Sequence, residues 1–106
     1  MAAKVRVPKN GLAIGGWKGT LVIEGSVLQV TGDDVGQALE IDCAQVKRCS
    51  FNSNNGLWAL RMKDGGKLYL QTSGALLSAD RSPEGRAATE AIGDLLAEHG
   101  VRGFSV

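Results

Sequence analysis

A chain of 106 residues with 43% hydrophobic and 22% charged residues has the balance of one soluble globular domain, long enough to bury a single core but not two. Twelve basic and eleven acidic residues leave a net charge of +1, which excludes the long-range field that gathers nucleic acid or an anionic membrane surface. Aromatics at 5% leave the core to aliphatic side chains, and 15 glycines, about twice the usual ~7% share, announce many turns.

The opening Met1–Pro8 lacks the continuous apolar stretch of an export signal. No run approaches the ~18 apolar residues of a transmembrane segment. With two cysteines, reduced thiols and a cytoplasmic setting are expected. Lys4-Val5-Arg6-Val7 alternates like a short strand and is ended by Pro8, which cannot donate to a ladder. Residues 1–16, with Gly11, Gly15 and Gly16, are expected to form a flexible arm ahead of a domain spanning 17–106. Lys4, Val5, Arg6 and Val7 then either complete the arm's own sheet or add to the edge of a neighbour's.

Trp17 to Glu24 alternates apolar and polar residues, turns at Gly25-Ser26, and continues as Val27 to Thr31. A two-residue turn puts Glu24 opposite Val27, Ile23 opposite Leu28 and Leu21 opposite Val30, so both apolar sets share one face. Ala38 to Asp42 extends that face, with Val30 meeting Leu39 and Leu28 meeting Ile41. The intervening Gly32-Asp33-Asp34-Val35-Gly36 has two adjacent carboxylates but neither the alternating oxygens nor the closing glutamate of a calcium loop, and reads as a solvated turn.

Val46 to Phe51 leads through Asn52–Gly56 into Leu57 to Met62, with Ser50 expected opposite Leu57 and Cys49 opposite Trp58. Asp64-Gly65-Gly66 turns the chain into Lys67 to Gln71, pairing Met62 with Leu68 and Leu60 with Leu70. Trp58, Leu60, Met62, Leu68 and Leu70 then face inward, while Arg48, Arg61, Lys63, Lys67 and Tyr69 face out. One more short strand is expected at Ala75–Leu77. The last element is a helix: Ser82 as N-cap, Pro83 first, Glu84 at the positive end of the dipole, and Gly100 as the stop. Ala88, Ala91, Ile92, Leu95 and Leu96 form its apolar stripe. Gly85 and Gly93 weaken it by about 1 kcal/mol each relative to alanine, so it depends on docking, with Gly93 offering a close approach to the sheet.

The run Gly19-Thr20-Leu21-Val22-Ile23-Glu24-Gly25-Ser26-Val27-Leu28-Gln29-Val30 resembles the "G-x-L-x-I-x-G-x-x-L-x-I" opening hairpin of small bacterial pleckstrin-homology-like (PH-like) domains. Leu39 to Cys49 is similar to their "I-P-x-x-x-I-x-x-V" segment. The resemblance spans residues 16 to 100 and implies a mainly β (α+β) fold: a partly open antiparallel barrel of about seven strands closed by one C-terminal helix. It also implies a protein-binding or self-assembling scaffold, not an enzyme. Phosphoinositide-binding members cluster Lys and Arg around the first hairpin loop, but here that loop is Gly25-Ser26 between Glu24 and Val27. Only Lys18 remains, at the far end of the strand, so specific phosphoinositide binding is not expected.

Motifs for chemistry are sparse. Gly15-Gly16-Trp17-Lys18-Gly19-Thr20 breaks the contiguous Gly-Lys-Ser/Thr of a phosphate loop and runs into a strand instead of a helix. Cys43, Cys49 and His99 lack the count and spacing of a zinc site, and read as two buried thiols and a helix-end histidine. No cofactor or metal is implied, and no acid, base and nucleophile converge. Trp17 and Trp58 fall on the inner register and belong to the core. What remains is a basic stripe, Arg48, Arg61, Lys63 and Lys67 with Tyr69, in which Arg61 is expected opposite Tyr69 and beside Arg48. The partner is therefore expected to be a protein or further copies of the chain. An anionic ligand or lipid on the stripe is the alternative, with single-stranded nucleic acid disfavoured by the near-neutral charge.

Overall fold

The computed structural model describes residues 2–9, 15–52, 55–72 and 83–101. Seven strands form one antiparallel sheet: β1 (Ala2–Val7), β2 (Trp17–Glu24), β3 (Val27–Gly32), β4 (Ala38–Asp42), β5 (Val46–Asn52), β6 (Leu57–Met62) and β7 (Lys67–Gln71). A 3₁₀ turn at Cys43–Gln45 joins β4 to β5, and one helix, α1 (Pro83–Glu98), follows the sheet. The strand order is β4-β3-β2-β1-β7-β6-β5, a PH-like partly open barrel closed by its C-terminal helix. The expected N-cap Ser82 and the strand at 75–77 lie outside the described residues, as do 10–14, 53–54 and 102–106.

The first two hairpins pair as their apolar alternation requires: Glu24 with Val27, Leu21 with Val30, Leu28 with Ile41 and Val30 with Leu39. The 3₁₀ turn is held at its start by Asp42, whose carboxylate accepts from the Ala44 N–H at 3.0 Å and from Ser26 Oγ at 3.1 Å. The second half of the sheet differs from the sequence reading by two residues. Ser50 faces Ala59 and Cys49 faces Leu60, not Leu57 and Trp58; Leu60 faces Leu68 and Trp58 faces Leu70. A slip of two keeps every side chain on its face, so hydrophobic alternation alone does not detect it. The β5–β6 turn is tighter than expected: β5 runs on to Asn52, which pairs with Leu57 and whose carbonyl accepts from the Gly56 N–H. Between β6 and β7, Met62 and Gly66 close a turn that includes Lys63.

The larger correction concerns the N-terminus. Residues 2–7, read as part of an arm separate from the domain, form the central strand of the sheet. β1 pairs with β2 from Ala2–Val22 to Val7–Trp17 and meets β7 at Arg6–Gln71. Two valines suffice because β2 supplies the ladder along the whole strand, β7 adds a contact at Arg6, and Val5 is buried in the core. Gly16 makes the return tight: with φ at 83°, a Cβ there would overlap the Val7 carbonyl.

Side chains from both halves of the sheet, including Leu21, Leu28, Ile41, Leu60 and Leu70, meet Ile92, Leu95 and Leu96 of α1 in one core. α1 is stopped by a Schellman arrangement, with Gly100 at φ 71°, the Val101 N–H donating to Leu96 and the Gly100 N–H to Ala97. Gly93 does not create the close approach expected of it. A Cβ there would sit 3.7 Å from Trp58 Cη2, an ordinary contact.

Candidate interaction surface

The outer face of β5, β6 and β7 carries the basic stripe, and register decides its pattern. A bulge between Val46 and Arg48 inserts one extra residue on β5. Without it Lys47 would oppose Arg61; with it Arg48 does, and Arg61 in turn opposes Lys67. Three cations thus stand directly across from one another on adjacent strands, all exposed. The next row out is Ser50, Ala59 and Tyr69. The expectation that Arg61 faces Tyr69 is therefore corrected: Tyr69 faces Ala59, because of the two-residue slip in the β6–β7 pairing.

Small side chains beside long ones leave a hollow. An open depression of about 220 Å³ is lined by Arg48, Ser50, Ala59, Arg61, Lys67 and Tyr69, with Cys49 and Leu60 beneath. Its lining is therefore two neighbouring cross-strand rows, the cations in one and Ser50, Ala59 and Tyr69 in the other. Like charges directly opposite on neighbouring strands oppose pairing by roughly 0.2–1 kcal/mol each. Among the described residues the sole ion pair is Lys4–Asp33 at 3.0 Å, so none of the three cations has a carboxylate partner there. Like charges so placed oppose the pairing, with no carboxylate among the described residues to offset them.

The remaining sequence candidates separate from this site. Lys63 sits in the β6–β7 turn, exposed, and its N–H donates to the Gln45 carbonyl. Lys4 is exposed on β1 and pairs with Asp33. Val5 is 2% exposed and Arg6 9%, so neither presents a binding side chain, and Val7 packs against the core. Arg6 is a structural cation: Nη1 donates to Gln71 Oε1 at 3.0 Å and Nη2 to the Gly15 carbonyl at 2.6 Å. Gln71 passes the connection on, its Nε2 donating to the Asn55 carbonyl at 2.7 Å. Nearby, Thr89 Oγ1 of α1 lies 3.0 Å from Thr72 Oγ1, tying the helix to the end of β7. Ser50 and Ala59 went unnoticed in the sequence, since nothing marks two small residues as opposite until the register is known.

Other candidate chemistry resolves into packing. Cys43 and Cys49 are buried, and burial, followed by Asp42 and Cys49, pushes the Cys43 thiol up to about 11. Burial also raises Cys49. Both thiols are protonated at neutral pH and behave as small hydrophobes. His99 Nδ1 lies 3.0 Å from the Leu95 carbonyl and closes the last turn of α1. Trp58 packs against Phe51 across the β5–β6 pair, ring centroids 4.7 Å apart and the planes tilted by 41°, with Trp58 in the core and Phe51 half-buried at its margin.

The architecture is that of a PH-like fold. A comparison with solved structures finds the same fold in Inner Membrane Complex sub-compartment protein 3 from Toxoplasma gondii. The TM-score is 0.62 over 93% of this chain and 77% of that one, at 9% sequence identity. At that identity the likeness is one of fold alone. No protein-family profile and no curated protein matches the chain. Among the described residues, no helix is long and apolar enough to cross a membrane.

Proposed function

We propose that the chain is a non-enzymatic interaction module whose working surface is the outer face of β5–β7, where it docks an acidic segment of a partner protein. The observation that carries this reading is the Arg48–Arg61–Lys67 row: three opposed cations without carboxylate partners among the described residues, lining an open depression. A feature that opposes sheet pairing and is left uncompensated is characteristic of a functional site. Arginine's planar fork binds carboxylates with two parallel hydrogen bonds, and the Tyr69 ring offers contact to an adjoining apolar group. Three cations in a near-neutral chain suit a short, matched contact better than a wide lipid or nucleic-acid surface.

The sheet-edge route through Lys4–Val7 gives way to this face, because β1 lies inside the sheet, paired along its length with β2 and at Arg6 with β7. The small bacterial form of the fold and a cytoplasmic setting remain part of the proposal. The test is binding of a labelled, glutamate-rich peptide, followed by fluorescence anisotropy at low and high salt. Arg48→Glu with Arg61→Glu is expected to weaken binding at least about tenfold, a loss of ~1.4 kcal/mol or more. Unchanged affinity in that variant, or binding to anionic vesicles with none to the peptide, would overturn the reading.

A further inference from the structure

On the other half of the sheet, the β3–β4 loop displays a side chain for which the fold has no use. Val35 is completely exposed, at 104% of its reference area, the one large apolar residue so placed among those described. The loop that carries it is firmly built. The Gly32 N–H donates to the Gln37 carbonyl at 2.7 Å and the Asp33 N–H to the Lys18 carbonyl at 2.9 Å. The Asp34 N–H reaches Gln37 Oε1 at 3.4 Å, and Gly36 adopts φ 87°. Asp33 is engaged by Lys4, but the Asp34 carboxylate beside Val35 has no ion-pair partner among the described residues. The result is a preorganised tip bearing one free carboxylate and one bare valine.

The depression on β5–β7 has the complementary chemistry: a row of cations without carboxylate partners among the described residues, and beside it a row of two small residues and an aromatic ring. We propose that the occupant of this depression is the β3–β4 loop of a second copy of the chain, with Asp34 meeting Arg48 and Arg61 and Val35 resting on Ala59 against Tyr69. The proposal rests on the reading of the face as an interaction surface and names its partner. The loop joins β3 to the edge strand β4, whereas the depression spans β5 to β7 at the other end of the strand order. Each copy therefore offers one knob and one hole on different surfaces. Contacts of that kind are heterologous and propagate head to tail, in contrast to the self-complementary patch of a two-fold dimer. A loop tip buries far less than a standard interface, so the assembly is weak and reversible, and a rigid loop limits the ordering entropy it must overcome.

The experiment uses sedimentation of the whole chain at about 1 mM, where weak contacts populate. The wild type is expected to show a mean mass above monomer that falls as salt rises. A loop variant, Asp34→Asn with Val35→Ser, and a hole variant, Arg61→Glu, are each expected to be folded monomers by circular dichroism. Mixed together, they are expected to form a dimer and nothing larger, because one intact loop and one intact hole remain. Wild-type assembly that survives either variant, or two disabled variants that stay monomeric when mixed, would overturn the proposal. A wild type that stays monomeric while the glutamate-rich peptide still binds would overturn the self-docking alone; failure of both would remove the interaction surface as well.

Discussion

Arg6→Met isolates the role the structure gives to the N-terminal strand. Methionine keeps most of the aliphatic stem but removes the guanidinium, and with it the bonds to Gln71 Oε1 at 3.0 Å and to the Gly15 carbonyl at 2.6 Å. Hydrogen bonds to a charged group contribute about 1.5–3 kcal/mol each, and a buried acceptor left unsatisfied costs about 1–3 kcal/mol. Part of this is returned because the cation no longer has to be desolvated. The net expectation is a loss of about 2–4 kcal/mol, the hydrogen-bond losses less the desolvation returned. For a domain of this size, at ~4–8 °C per kcal/mol, the midpoint should drop by roughly 10–25 °C. Urea unfolding followed by tryptophan fluorescence reads the effect directly. Lys4→Ala, two residues away on the same strand, removes only the exposed pair with Asp33 and should change stability by less than about 1 kcal/mol. A loss under about 0.5 kcal/mol for Arg6→Met would mean that β1 is not locked into the sheet and that the arm is free.

Arg61→Gln should raise stability slightly, by up to about 1 kcal/mol at low salt, since it relieves repulsion with Arg48 and Lys67; the gain should vanish near 1 M salt, where the Debye length is about 3 Å. Leu95→Ala in the helix–sheet core should cost about 2–5 kcal/mol by chemical denaturation. Gly93→Ala should stabilise by about 0.5–1 kcal/mol through helix propensity, because its Cβ has room beside Trp58, whereas Gly16→Ala should destabilise through its clash with the Val7 carbonyl. Stability should also fall as pH rises from 9 toward 11. The Cys43 thiol ionises near its ordinary value when unfolded but only near 11 when folded, so the unfolded chain releases its proton first. Cys43→Ala should flatten that decline.

The two halves of the sheet were unequally legible. In β2–β4 the Gly25-Ser26 turn has one geometry that aligns both apolar faces, so sequence alternation and turn chemistry select the same pairing. In β5–β7 the connecting segments are longer, and a shift of two residues preserves every inward and outward position. The inner face was therefore readable while the neighbours on the outer face were not, and the candidate site is defined by those neighbours. The bulge that brings Arg48 opposite Arg61 has no local signature: Val46-Lys47-Arg48-Cys49 contains neither glycine nor proline. β1 was legible as a strand but not as the central one. Its two inward valines look like an edge until β2 and β7 are known to flank it. Arg6 is buried because it sits where β1 meets β7, against Gln71 and the Gly15 carbonyl, a neighbourhood set by strand order and not by local sequence.

Amide shift mapping of the ¹⁵N-labelled chain, titrated with the glutamate-rich peptide, locates the binding face residue by residue. The largest changes are expected to cluster at Arg48, Ser50, Ala59, Arg61, Lys67 and Tyr69 and to shrink as salt rises. Changes centred on α1 or on the exposed edge of β4, or none above those of a neutral peptide, would contradict that assignment.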